Sequence, residues 1–200
     1  MTATRRYLFA VGAGLALAAV AWFVVLPRFQ PHAFTGTVIQ SQTPAPGVEL
    51  LTSTGERASL SDFEDQVLVL YFGYTFCPDE CPTTLSGLKR AVDKLGGGAG
   101  DVQVIMVSVD PERDSPEVLG EYLGYFDPSF IGMTGTPEEI AAVAAAYGVF
   151  HQAEEGTVDT GYLVSHTARL MVIDRDGYLK LIMPADATPD QIAADLDYLL

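Results

Sequence analysis

Three apolar runs organise the chain. Residues 7–26 (YLFAVGAGLALAAVAWFVVL) contain no charged side chain, and a helix rising about 1.5 Å per residue over this length spans the roughly 30 Å hydrocarbon core of a bilayer. Residues 67–73 (VLVLYFG) and 102–109 (VQVIMVSV) are shorter, and such runs are typical of strands buried on both faces of a sheet. The pattern predicts a membrane segment followed by a domain with a buried sheet.

Further strands are predicted on either side of the two buried runs. Residues 34–40 and 48–53 are strand-like and are joined by a turn containing Pro and Gly. Residues 168–174 and 178–183 flank Arg175-Asp176-Gly177, which is typical of a hairpin turn.

Four helices are predicted between and after these strands. One covers residues 82–95 and ends at three glycines, and a second covers residues 115–126. Two more begin at Thr136 and Thr188, where Thr is followed by Pro and then by Glu or Gln at the third helical position. The order of strands and helices predicts an α/β domain with a central sheet covered by helices.

The residues around the first apolar run predict its orientation. Arg5 and Arg6 precede it, so the positive-inside rule keeps the N-terminus in the cytoplasm and sends the rest of the chain outward. We therefore expect residues 1–26 to be an uncleaved signal-anchor helix. A cleaved signal peptide is the alternative, because Ala16-Leu17-Ala18 has the small-x-small pattern of a cleavage site.

Composition limits the remaining choices. The chain has 200 residues, of which 48% are hydrophobic, so a wholly disordered acidic chain is excluded. Its 26 acidic residues exceed its 11 basic residues, which argues against a nucleic-acid partner. We expect a linker over residues 27–33 and one domain over residues 34–200, with a single-pass chain in the bacterial inner membrane and its soluble domain in the periplasm, where thiols can be oxidised.

The candidate chemistry centres on two cysteines. Cys77 and Cys81 lie in GYTFCPDECP (73–82), directly after the first buried strand. We expect Pro82 to be the first helical residue, so that Cys81 lies at the cap, where the helix N-terminus lowers a thiol pKa. The polar residues between the cysteines predict exposure. Such a pair can bind a soft metal ion or form a reversible disulfide; an inert structural disulfide and two buried thiols are the alternatives.

A further metal ligand would come from a histidine. His32 lies in the linker and His151 is expected in an exposed loop. His166 precedes the predicted strand 168–174, and a ligand role is favoured only if that strand lies beside residues 67–73. A structural histidine remains the alternative. The methionines with apolar neighbours are expected in the core rather than in a metal site: Met106, Met133, Met171 and Met183.

Four segments together resemble the SCO/SenC family: GYTFCPDECP (73–82), SVDPERDSPEVL (108–119), FDPSFIGMTGTPEEI (126–140) and VSHTARLMVID (164–174). The resemblance covers essentially the whole domain, with the anchor in front. It implies a thioredoxin-like α/β fold, with a central mixed sheet flanked by helices and an added N-terminal β-hairpin. It also implies that copper, as Cu(I) or Cu(II), is bound by Cys77, Cys81 and His166.

The resemblance leaves two function classes open. The first is a copper metallochaperone that helps assemble the CuA site of cytochrome c oxidase, with the oxidase subunit carrying that site and an upstream copper donor protein as partners. The second is a thiol–disulfide oxidoreductase, in which Cys77 and Cys81 form a catalytic pair that reduces the cysteines of the oxidase copper site. Whether the protein is an enzyme therefore stays open.

Overall fold

The computed structural model describes residues 11–15, 18–20, 22–23, 32–63, 65–156 and 161–200. The chain forms two compact units, Met1–Ala33 and Phe34–Leu200. In the first unit, residues 11–15 and 18–20 are helical. The rest of the predicted membrane segment, apart from residues 22–23, lies outside the described residues, and none of the helices within them is long and apolar enough to span a bilayer.

Ten strands are present in the described residues of the second unit. They are β1 (Thr37–Val38), β2 (Glu49–Thr52), β3 (Arg57–Ser59), β4 (Val67–Gly73), β5 (Val102–Ser108), β6 (Ile131–Thr134), β7 (His151–Ala153), β8 (Val164–His166), β9 (Arg169–Ile173) and β10 (Leu179–Pro184). Eight of them form a sheet in the order β1-β10-β9-β4-β5-β6-β2-β3, and β7 and β8 form a second sheet. The pairs β4–β5 and β5–β6 are parallel, and the other pairs are antiparallel. The expected central mixed sheet is confirmed.

In the part of this unit that the structure describes, four α-helices cover the sheet: α1 (Glu80–Lys94), α2 (Pro116–Gly124), α3 (Pro137–Ala146) and α4 (Pro189–Leu199). Helix α1 packs against α4, and α2 packs against β6. Gly132 of β6 permits this approach, because a Cβ there would lie 2.7 Å from the Cβ of Leu119.

Hydrogen-bonded caps begin three of the helices, and two of these caps are the threonines predicted from the sequence. Ser115 caps α2, while Thr136 and Thr188 form capping boxes with Glu139 and Gln191. Each cap satisfies backbone N–H groups that have no partner within the helix, which is worth about 1 kcal/mol of stability.

Strand β4 lies at the centre of the core. All seven of its residues are buried, and it pairs with β5 on one side and with β9 on the other. The prediction of a strand covered on both faces is therefore confirmed. Strand β9 lies beside β4, which is the arrangement under which a ligand role for His166 is favoured. The methionines predicted in the core are buried there: Met106, Met133, Met171 and Met183.

The turn between residues 34–40 and 48–53 suggested that the first two strands pair with each other. They do not. Strand β1 pairs with β10, and β2 pairs with β3 and β6. An N-terminal hairpin is present, but it consists of β2 and β3. The sequence pattern missed β3, since Arg57–Ser59 contains no apolar run, and it missed the separate β7–β8 hairpin.

Candidate metal centre

The loop that carries both cysteines begins where β4 ends and continues into α1. The helix begins at Glu80, with Asp79 as its N-cap residue. The prediction that Pro82 is the first helical residue is therefore wrong by two positions, and Cys81 lies inside the first turn. Proline is accommodated at the third helical position because N–H groups of the first turn have no intrahelical acceptor.

Cys81 is fully buried, with no exposed surface. The hydroxyl of Tyr71 donates a hydrogen bond to its Sγ at 3.3 Å. Burial raises the pKa of Cys81 to about 12, because an apolar environment disfavours the thiolate. The expectations of an exposed cysteine and a lowered thiol pKa are wrong at this position, since desolvation outweighs the effect of the helix N-terminus.

Cys77 lies nearer the surface than Cys81. Both cysteines are free thiols, and Cys77 is half-buried. Its Sγ accepts a hydrogen bond from the backbone N–H of Cys81 at 3.4 Å, so the loop folds back on the helix start and brings the two residues together. One thiol of the pair is thus accessible while the other belongs to the core.

His166 lies at the end of β8, and its ring packs against two tyrosines. Ring centroids are 5.8 Å apart for Tyr74 and 6.5 Å apart for Tyr71, with edge-on geometry in both pairs. The Nδ1 atom lies 3.2 Å from the carbonyl oxygen of Val164. Because a carbonyl only accepts hydrogen bonds, this contact requires the proton on Nδ1, which leaves a lone pair on Nε2 of the neutral ring.

The Nε2 atom of His166 is buried and, within the part of the chain that the structure describes, has no hydrogen-bond partner. An unpartnered buried nitrogen is costly, and metal ligation is one way to satisfy it. Histidine ligands commonly hold their orientation by donating the other ring N–H to a carbonyl, as Nδ1 does here. The donor set of two thiols and one imidazole suits a soft or borderline metal ion.

The tyrosines connect the three predicted ligands. Tyr71 contacts both Cys81 and the ring of His166, and the hydroxyl of Tyr74 interacts with Cys77 and with the backbone of Val164. Across the described ranges, no group of three or more His, Cys, Asp or Glu side chains is gathered closely enough to hold a metal ion. The structure therefore places the histidine beside the cysteine loop without assembling a finished site.

A buried carboxylate that the sequence pattern did not identify holds the cysteine loop. Asp114 accepts hydrogen bonds from the backbone N–H and hydroxyl of Thr75 and from the hydroxyl of Ser108. Burial raises the pKa of Asp114, although these three donors favour its charged form. The segment 110–114 forms a turn that leads to the Ser115 cap, and it also fixes the loop two residues before Cys77.

The remaining histidine of the domain lies across the hairpin from the candidate ligand. His151 and His166 are directly opposite each other in the β7–β8 pair. His151 is half-buried and lies in a strand, so the expectation of an exposed loop is wrong.

The fold and this site together define a thioredoxin-like protein with a Cys-x-x-x-Cys loop at the end of the central strand and a histidine beside it. The chain belongs to the SCO1/SenC family, whose model matches residues 40–200.

Relatives and solved structures agree with this assignment. The human mitochondrial protein SCO1 homolog is 36% identical over 149 residues, which are 74% of this chain and 50% of the human protein; the chain thus spans about half the length of that relative. The solution structures of apo Sco1 from Thermus thermophilus superpose with a TM-score of 0.76 at 44% identity, covering 84% of this chain and 98% of that one. Bradyrhizobium japonicum ScoI with copper bound has a TM-score of 0.72 at 35% identity, covering 79% and 100%.

Because Cys81 is more deeply buried than Cys77, we expect selective alkylation of Cys77 in the metal-free protein. At pH 8 we expect iodoacetamide to modify Cys77 faster than Cys81 by about 100-fold, because alkylation needs the thiolate. The rate at Cys81 should rise about tenfold per pH unit between pH 7 and 9, since this range lies below its raised pKa. Peptide mass spectrometry measures both rates, and protein unfolded in urea is the control in which they converge. Comparable rates in the folded protein would contradict the burial of Cys81.

Gly73 predicts a second test of the packing around Cys81. A Cβ at Gly73 would lie 2.7 Å from Cε1 of Tyr71 and 3.0 Å from Sγ of Cys81. We expect Gly73→Ala to lower the free energy of unfolding by about 1–3 kcal/mol through overpacking, and to accelerate alkylation of Cys81.

Gly87→Ala is the matched control, because a Cβ at this helical position would meet no described atom within 4 Å. It should stabilise the protein by up to about 1 kcal/mol through helix propensity. Urea unfolding followed by circular dichroism measures both variants. Equal effects of the two substitutions would show that Gly73 is not constrained by the site.

Proposed function

We propose that this chain is a membrane-anchored copper metallochaperone of the periplasm that serves assembly of the CuA site of cytochrome c oxidase, with Cys77, Cys81 and His166 as the copper ligands. The observation that carries the proposal is the buried, unpartnered Nε2 of His166 beside a pair of free thiols. Copper bound to the related ScoI from Bradyrhizobium japonicum supports the choice of metal.

The donor set explains why copper is the expected cargo. Thiolates stabilise Cu(I), and imidazole is compatible with both oxidation states. Zn²⁺ in a structural site takes four ligands, whereas three protein ligands leave one side of a copper ion open. An open side permits transfer to a partner by ligand exchange, which a delivery protein requires.

Copper binding would change the charge state of the core thiol. Because burial raises the pKa of Cys81 to about 12, its thiol is protonated at neutral pH, and ligation releases that proton. The affinity for copper should therefore increase with pH across the neutral range. Two thiolates and a neutral imidazole with Cu(I) give the site a net charge of −1.

The N-terminal segment supplies the proposed location. Residues 7–26 are apolar and follow Arg5 and Arg6, which supports an anchor with the domain outside the cytoplasm. The chain carries a formal net charge of −15, so attraction of metal cations and of basic patches on a partner is favoured.

A thiol–disulfide oxidoreductase is the second candidate, favoured by the contact of Cys77 Sγ with the backbone of Cys81. In this reaction the thiolate of the half-buried Cys77 attacks a disulfide of the oxidase subunit, and Cys81 then displaces the second product thiolate. The Cys77–Cys81 disulfide forms as the partner disulfide receives two electrons and two protons. This route uses the same loop but does not need His166.

The ligand set is tested by removing the imidazole. We expect His166→Ala to weaken Cu(II) binding to the full-length protein by more than about 100-fold, because a direct ligand matters more than its supporting contacts. Cys77–Cys81 disulfide formation should be unaffected. Competition titration measures the affinity, and His151→Ala, which changes the residue opposite on the hairpin, is the control that should bind as the native protein does. Unchanged affinity in His166→Ala would refute the assignment.

An assay of oxidase assembly in cells distinguishes copper delivery from thiol reduction. If copper delivery is the main role, we expect both His166→Ala and Cys77→Ser to lose assembly of the oxidase copper site. A protein that acts mainly as a reductase would retain assembly in His166→Ala and lose it in Cys77→Ser. The measurement is the optical signal of the CuA centre in isolated membranes, and retained assembly in both variants would exclude both mechanisms.

A further inference from the structure

Arg113 is a buried cation surrounded by aromatic rings. Its side chain is 6% exposed, and its Cζ lies 3.7 Å from the ring centroid of Tyr162, 4.7 Å from that of Phe76 and 5.9 Å from that of Tyr74. All three distances are within the range at which a guanidinium is attracted to the face of an aromatic ring. The nearest anion is Asp110, which accepts a hydrogen bond from Nε of Arg113.

The three rings come from the two segments that carry the proposed ligands. Tyr74 and Phe76 belong to the loop directly before Cys77, and Tyr162 is four residues before His166. Arg113 itself lies in the turn after β5. One side chain therefore contacts the cysteine loop on one side and the approach to the histidine on the other.

Three groups of Tyr162 contact the turn after β5. Its ring packs against the guanidinium, its carbonyl oxygen accepts a hydrogen bond from Nη1 of Arg113 at 3.0 Å, and its hydroxyl donates one to Asp110 at 2.6 Å. Asp110 is itself buried. Such a set fixes both the position and the direction of the chain that enters β8.

The β7–β8 hairpin depends on contacts of this kind. Its two strands form a sheet of their own, so the hydrogen bonds of the main sheet do not hold it. Thr167 and Phe150 join its base, where the N–H of Thr167 donates to the carbonyl of Phe150 at 2.9 Å. His166 is the residue before Thr167, and the contacts of Tyr162 with the turn after β5 restrain the chain that leads into His166.

We propose that Arg113 is the positioning residue for His166: by stacking on Tyr162 and on the rings of the cysteine loop, it holds the β7–β8 hairpin against that loop and so places the imidazole beside the thiols. The proposal rests on the assignment of His166 as a copper ligand made above. A lysine cannot replace this function, because its compact ammonium lacks the planar fork that stacks and donates to the Tyr162 carbonyl at the same time.

The alternative is that Arg113 serves only to neutralise the charge of Asp110 by pairing with it. Arg113→Lys separates the two roles, because lysine keeps the positive charge. Neutralisation predicts that lysine restores native behaviour, and positioning predicts that it does not. Tyr162→Ala is the second variant, since it removes the stacking ring while leaving the Arg113–Asp110 pair in place. Matched controls are Arg90→Lys and Tyr125→Ala, which make the same changes at exposed positions.

Hydrogen exchange of the metal-free, full-length protein is the first measurement. In Arg113→Lys and in Tyr162→Ala we expect faster exchange of the hairpin amides, such as those of Glu154 and Thr167, with exchange in β4 unchanged. The control variants should exchange as the native protein does. If Arg113→Lys and Tyr162→Ala both exchange as the native protein does, the proposal is overturned, whatever the copper measurements show.

Copper binding is the second measurement. We expect Arg113→Lys and Tyr162→Ala to lower Cu(II) affinity by about 10–100-fold, the effect typical of losing a contact that orients a ligand. X-ray absorption should show both sulfur neighbours kept and the nitrogen neighbour reduced. In a His166→Ala background, Arg113→Lys should have no further effect, because the residue it positions is absent.

The outcomes distinguish this proposal from the ligand assignment. An equal loss of affinity from Arg113→Lys with and without His166 would overturn positioning while leaving the ligand set intact. If His166→Ala itself binds copper as the native protein does, the ligand set is refuted, and the exchange measurement alone then decides whether Arg113 holds the hairpin.

Discussion

The site depends on the pairing of β4 with its two neighbours. Because β4 and β5 are parallel, their carboxyl ends bring the cysteine loop and the turn 110–114 to the same edge of the sheet. Strand β9 is antiparallel to β4, so its first residues, and β8 before them, arrive at that edge as well. Three segments that are far apart in sequence thus meet at one place, the position at which α/β sheets commonly bind ligands.

Burial at this edge gives the two cysteines different properties. Cys81 contributes to the core and is held as a neutral thiol, with the Tyr71 hydroxyl donating to its sulfur. Cys77 lies in the loop, where a partner or a metal ion can reach it. In the proposed site a soft cation replaces the proton of the buried thiol and pairs with the Cys81 thiolate. The environment that suppresses the thiolate in the metal-free protein therefore makes copper binding depend on release of that proton.

The sequence was sufficient to predict the core, but not the environment of the candidate ligands. The apolar run of β4 and the Thr-Pro starts of α3 and α4 depend on local chemistry, and all were confirmed. The burial of Cys81 was mispredicted because its sequence neighbours are polar, while its burial comes from Tyr71 and the core. Asp114 was missed for a similar reason, since its bonds to Thr75 span 39 positions. The resemblance to a family identified His166 as a candidate ligand. Residue patterns alone did not decide between a ligand and a structural histidine.

The two halves of the candidate site are held by different kinds of interaction. The cysteine loop is fixed by the core and by the buried Asp114, whereas the histidine hairpin lies outside the main sheet and is joined to the loop through tyrosines and Arg113. Contacts between side chains can rearrange at lower cost than the ladder of a buried sheet, which opens only with the core. If the two cysteines and His166 bind and release a metal ion as proposed, this division favours both steps, because the imidazole can withdraw while the two sulfurs remain in place.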